Sequence, residues 1–96
     1  MKEADFKQKF CKSLKRLGCT TLQYQQSATT LAGFPDCICL LPEGLTVFIE
    51  FKKSKNAKFR PGQKEWIEKL KEREFFAWVV YPENADDVLK EIKELL

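Results

Sequence analysis

A chain of 96 residues, 44% hydrophobic and 32% charged, has room for one domain spanning 1–96 and is too apolar to be disordered. Histidine is absent, which excludes Ser-His-Asp and Cys-His nucleophile systems, HExxH metallopeptidases and imidazole-based zinc sites. The net charge of +3 is uneven: residues 1–18 carry +4, 19–49 carry −2, 50–64 carry +5 and 65–96 carry −4. Two basic blocks of this kind are either solvated surface or what a phosphate-tracking surface requires. No apolar run approaches membrane-spanning length, and the N-terminus lacks the layout of a secretion signal, so a cytoplasmic protein away from membranes is expected. Cys11, Cys19, Cys37 and Cys39 contain no C-x-x-C pair and are expected to be small buried hydrophobes.

Phe6, Phe10, Leu14 and Leu17 repeat at helical spacing over residues 3–17, and Gly18 ends that helix. Residues 19–25 alternate as a strand, and residues 26–33 form a small polar loop closed by glycine. Residues 36–41 and 45–52 read as two strands of a hairpin turning at Pro42-Glu43-Gly44. A basic loop closed by Pro61-Gly62 leads into a helix over 63–73, with Trp66, Ile67 and Leu70 on one face. Residues 75–81 are apolar on both faces, which predicts a central strand in a covered sheet. After Pro82, Asn84 is placed to cap a last helix carrying Val88, Leu89, Ile92, Leu95 and Leu96. The order α-β-β-β-α-β-α predicts an α/β fold, a mixed four-stranded sheet flanked by helices.

Chemistry concentrates on the hairpin. If Leu41 pairs with Leu45 across the three-residue turn, Asp36 stands directly opposite Glu50. Facing carboxylates destabilise a ladder unless positive charge lies between them, and a hard divalent cation meets that need. Lys52 follows on the same face, roughly 7 Å along. Glu3 falls inside the apolar stripe of the first helix, and Gln63 precedes the apolar residues of the second at i+3, i+4 and i+7. Both helices thus place a polar group on the sheet-facing side at their N-terminal ends, and the groups are expected to converge at one end of the sheet. A second Glu-x-Lys at Glu91 and Lys93 lies on a helix, where residues two apart point in different directions.

Gly33-Phe34-Pro35-Asp36, then Glu50-Phe51-Lys52, then Gln63 resembles the motif set of the PD-(D/E)XK nuclease superfamily, and the chain looks most like its VRR-NUC branch in the small stand-alone form met in phages. The resemblance implies a restriction-endonuclease-like αβββαβ core and a phage-infected or prophage-carrying bacterial cell as the setting. It makes Asp36, Glu50 and the backbone carbonyl of Phe51 ligands of Mg²⁺ or Mn²⁺, and Lys52 the catalytic lysine. Glu3 becomes the first-helix acid, completing a second metal site or holding water beside the first, and Gln63 orients the ligands or the nucleophile. The products implied carry a 5′-phosphate and a 3′-hydroxyl. One departure is that Gln23 and Gln25 stand where several members carry a basic residue.

The expected activity is therefore metal-dependent hydrolysis of phosphodiester bonds in DNA. Lys53, Lys55, Lys58 and Arg60 are expected to contact the nucleic acid. A chain this short leaves recognition to backbone charge and DNA shape. A C2 homodimer would present two sites suited to branched DNA, a four-way (Holliday) junction being the first choice. The alternatives are a flap or single-strand nuclease of the same fold, or a catalytically silent nucleic-acid-binding module.

Overall fold

The computed structural model describes residues 3–23 and 32–96, Glu3 by its backbone. The elements are α1 (Glu3–Arg16), β1 (Thr20–Gln23), β2 (Cys37–Leu40), β3 (Thr46–Phe51), α2 (Gln63–Glu72), β4 (Phe76–Val80) and α3 (Ala85–Glu94). This is the expected order, with a turn of 3-10 helix at Pro42–Gly44 joining β2 to β3. The expected end of the first strand at Gln25, and most of the loop after it, lie outside the described residues.

The sheet runs β1-β2-β3-β4, antiparallel except for the parallel β3–β4 pair. In the hairpin, the Leu41 N–H donates to the Leu45 carbonyl at 2.8 Å, with Glu43 taking a φ of 67° to close the turn. That bond sets the register: Cys39 pairs with Val47 and Cys37 with Ile49.

Side-chain alternation divides the sheet between two cores. Val47, Ile49, Phe51 and Val80 face α1 and α3, meeting Phe6, Phe10, Leu14, Val88 and Ile92. The four cysteines, all free, are buried on this side as expected. Gln23 shares their face, its amide donating to Cys11 Sγ at 2.8 Å. Phe48, Ala77 and Val79 face α2 through Ile67 and Leu70.

The strand expected at the centre of the sheet, β4, is instead the last strand in the order. Its apolar faces have a different cause. The α2 crossover covers one side, through Ala77 and Val79, while Trp78 and Val80 pack on the other, so a covered edge strand carries the pattern of a central one. Asn84 does precede α3, but its side chain turns away from the helix amides. Its Oδ1 accepts the Tyr81 N–H at 2.8 Å and its Nδ2 donates to the Val79 carbonyl at 2.9 Å, fastening α3 to the end of β4. Among the described residues, no helix is long and apolar enough to cross a membrane.

Candidate active site

The hairpin register, continued one pair beyond Cys37–Ile49, brings Asp36 opposite Glu50 on the face that α2 covers. Glu50 is 1% exposed, and Asp36 lies just before β2, at the end of that inner strand, with a side chain 14% exposed. The Phe51 N–H donates to Asp36 Oδ2 at 3.1 Å.

Proline at position 35 explains why the ladder stops here. The Leu41–Leu45 bond makes 39/47, 37/49 and 35/51 the hydrogen-bonded pairs of the hairpin. Pro35 has no N–H to give the Phe51 carbonyl, so the ladder provides that oxygen with no donor from β2. The Pro-Asp dipeptide therefore directs a carboxylate at the Phe51 amide and gives the Phe51 carbonyl no donor from β2.

Gln63, the first residue of α2, is also 1% exposed and joins the acid to the lysine. Its Nε2 donates to Glu50 Oε2 at 2.8 Å, while its Oε1 accepts both the Lys52 ammonium and the Arg60 N–H, the latter at 2.7 Å. Lys52 and the Arg60 amide are donors only, so the carbonyl end of Gln63 must face them and its NH₂ must face the carboxylate. Lys52 Nζ donates also to the Lys58 carbonyl at 3.2 Å and stands 4.0 Å from Glu50 Oε2. Its main-chain N–H, one residue past β3, donates to Val80 on β4 at 2.8 Å.

Burial first, then the charge of the neighbouring Asp36, pushes the Glu50 carboxyl up to about 8; Lys52 and Arg60 offset only part of this. Glu50 Oε1 is buried and has no hydrogen-bond partner among the described residues. A buried, unpartnered carboxylate oxygen facing a second acid, beside a carbonyl with no donor from β2, is a donor set of the type hard divalent cations take. The residues present fit such an ion. Among the described residues no larger group of acids and cysteines gathers for a metal.

Asp36, Glu50, Phe51, Lys52 and Gln63 thus come together. Glu3 begins α1, one turn before a residue that reaches Asp36, but its side chain lies outside the described residues. Lys53, Lys55, Lys58 and Arg60 are exposed on the loop between β3 and α2, and Arg60 acts on Glu50 through its charge. The Lys55 N–H donates to Glu83 Oε2 at 3.2 Å, tying the loop to the turn before α3. Gln23 faces the α1 side, away from the site, while Gln25 lies outside the described residues.

Three features escape the sequence reading. Lys7 Nζ stands 3.8 Å from Asp36 Oδ2 and 5.6 Å from the centre of the Phe51 ring; its only sequence signal is a place one helical turn after Glu3. Gly33 and Gly62 meet backbone to backbone, each with positive φ, which brings the Pro-Asp segment against the start of α2. Phe59 is 42% exposed yet its ring centre lies 5.1 Å from Lys52 Nζ.

A model of the VRR-NUC domain matches residues 2–83 of the chain. In three dimensions the chain is similar to a solved structure described as a VRR-NUC domain, with a TM-score of 0.78 and 25% sequence identity, covering 92% of this chain and 94% of that one. No curated protein matches the sequence.

Proposed function

Because this chain belongs to the VRR-NUC domain family, and is a nuclease domain, we propose that it is a metal-dependent endonuclease acting on branched DNA, with the four-way junction as its substrate and a homodimer as its working form. The observation that carries the metal-dependent reading is Glu50 Oε1, a buried carboxylate oxygen opposed to Asp36 and without a hydrogen-bond partner among the described residues, while Oε2 of the same group stands 4.0 Å from the Lys52 ammonium.

Asp36, Glu50 and the Phe51 carbonyl would hold Mg²⁺ or Mn²⁺, with Glu3 completing the set from α1. Such an ion, when bound, neutralises charge on the scissile phosphate and makes water a usable nucleophile at neutral pH. Lys52 supports an electrostatic role: an ammonium already donating to Gln63 Oε1 and the Lys58 carbonyl is a cation aimed by its neighbours, suited to stabilising charge on phosphate oxygens. Gln63 keeps Glu50 and Lys52 at a fixed separation by bonding both. Lys53, Lys55, Lys58 and Arg60 bind the DNA backbone and raise its local concentration. Two copies related by a two-fold axis would offer paired sites to the roughly two-fold arms of a junction.

The test is incubation with four-way, flapped, duplex and single-stranded DNA in Mg²⁺, Mn²⁺ or EDTA. Cleavage is expected with the metals only, and Asp36→Asn and Glu50→Gln are each expected to abolish it while DNA binding survives. Full activity in EDTA or in either variant refutes the site. Light scattering at micromolar concentration tests the dimer; a monomer that stays monomeric on a four-way junction refutes the junction reading in favour of flap or single-strand cleavage.

A further inference from the structure

Six large apolar side chains are exposed among the described residues, and single exposures of this kind are ordinary. Phe59 is different in what holds it. It lies on the basic loop between Lys58 and Arg60, and both neighbours are tied by their main chains to the buried polar pair: the Lys58 carbonyl accepts from Lys52 Nζ at 3.2 Å, and the Arg60 N–H donates to Gln63 Oε1 at 2.7 Å. Lys52 Nζ sits over the ring at 5.1 Å from its centre. An apolar ring is thus held at a fixed place beside the lysine, with 42% of the residue still open to solvent.

We propose that Phe59 is a stacking platform for an unpaired nucleobase next to the phosphate that Lys52 engages, and that it makes the protein prefer DNA whose bases are unstacked, at a branch point or in a single strand. The inference rests on the nuclease reading above and adds to it the residue that reads DNA structure. Lysines flanking the ring can hold phosphates, but they bind paired and unpaired strands alike; a flat apolar surface stacks on a base that is exposed and not on one enclosed in a duplex. The ring is pre-positioned, so little ordering opposes the stack. The cation beneath it and the basic residues on either side place the phosphate beside the base they accompany.

The experiment is a binding titration by fluorescence anisotropy in EDTA, where the strands stay intact. Wild type, Phe59→Leu and Phe59→Trp are each titrated with an oligothymidine strand, with an abasic strand of equal length and charge, and with a duplex. Wild type and Phe59→Trp are expected to bind the thymine strand about tenfold more tightly than the abasic one, as one base–aromatic stack contributes. Phe59→Leu, similar in apolar bulk but without a flat face, is expected to bind both strands with the abasic affinity and the duplex as wild type does. Equal wild-type affinity for the two strands overturns the stacking platform and leaves the nuclease reading standing, as does an equal loss on both strands in Phe59→Leu. Failure of the wild type to bind any of the three overturns the nucleic-acid reading, and this inference with it.

Discussion

The amide of Gln63 donates to Glu50 Oε2 at 2.8 Å, fixing the first turn of α2 to the acid on β3. The same side chain accepts from Lys52 and from the Arg60 main chain, so three groups lose a partner if it is removed. Gln63→Leu is expected to destabilise the fold by roughly 2 kcal/mol or more, since each buried polar group left unpaired costs about 1–3 kcal/mol. Gln63→Asn, one methylene shorter, keeps the amide but cannot span both partners, and is expected to lower kcat with little change in KM. Urea unfolding and steady-state cleavage separate the two effects; a Gln63→Leu protein with wild-type stability contradicts the network.

A methyl group on Gly33 would meet the Gly62 carbonyl oxygen at 2.7 Å, and one on Gly62 would meet the Ala32 carbonyl oxygen at 2.7 Å. Gly33→Ala and Gly62→Ala are therefore expected to force the two loops apart and to lose both stability and cleavage. Gly44→Ala is the control: its φ is also positive, at 80°, but nothing lies within 4 Å of the added carbon. The backbone preference alone costs about 1 kcal/mol there, so unfolding midpoints for the first two variants should fall well below that of the third.

Stability of the chelator-treated protein is expected to fall as pH rises from about 4.5 to about 8. In the unfolded chain Glu50 releases its proton near the ordinary value of 4.5, whereas in the fold it is held up to about 8. Between these values the native state binds the extra proton, so raising pH favours unfolding. The affinity for Mg²⁺ or Mn²⁺ is expected to run the other way, rising through the same window as the proton leaves. Glu50→Gln should flatten the decline in thermal midpoint; an unchanged slope in that variant contradicts the assignment.

Lys52→Ala is expected to lower turnover at saturating DNA by about 10²–10³, the range for removing one preorganised donor to a developing charge, with a small effect on binding. Lys55→Ala and Lys58→Ala act the other way, weakening binding and reducing the slope of log affinity against log salt by about one unit each. The Lys58 carbonyl that holds Lys52 is main chain and survives the substitution. Equal effects of all three on turnover would refute this division.

The opposition of Asp36 and Glu50 is legible in the sequence because it depends on local geometry. A three-residue turn closing Leu41 on Leu45 sets the register, and strict alternation then determines which side chains share a face. The buried place of Gln63 is legible for a similar reason, through its spacing from Ile67 and Leu70 on one helix. Periodicity cannot say which strands are neighbours, and so β4, apolar on both faces, reads as central although it stands last in the sheet. Nor does it say that Lys7 reaches Asp36, that Gly33 meets Gly62, or that Phe59 lies beside Lys52. The first two contacts join elements far apart in the chain, and the third depends on the path of an irregular loop. Only the packing of helices and loops against the assembled sheet decides them, because the free energy that places these groups comes from burying whole faces and pairing main-chain polar groups, not from the residues that happen to meet.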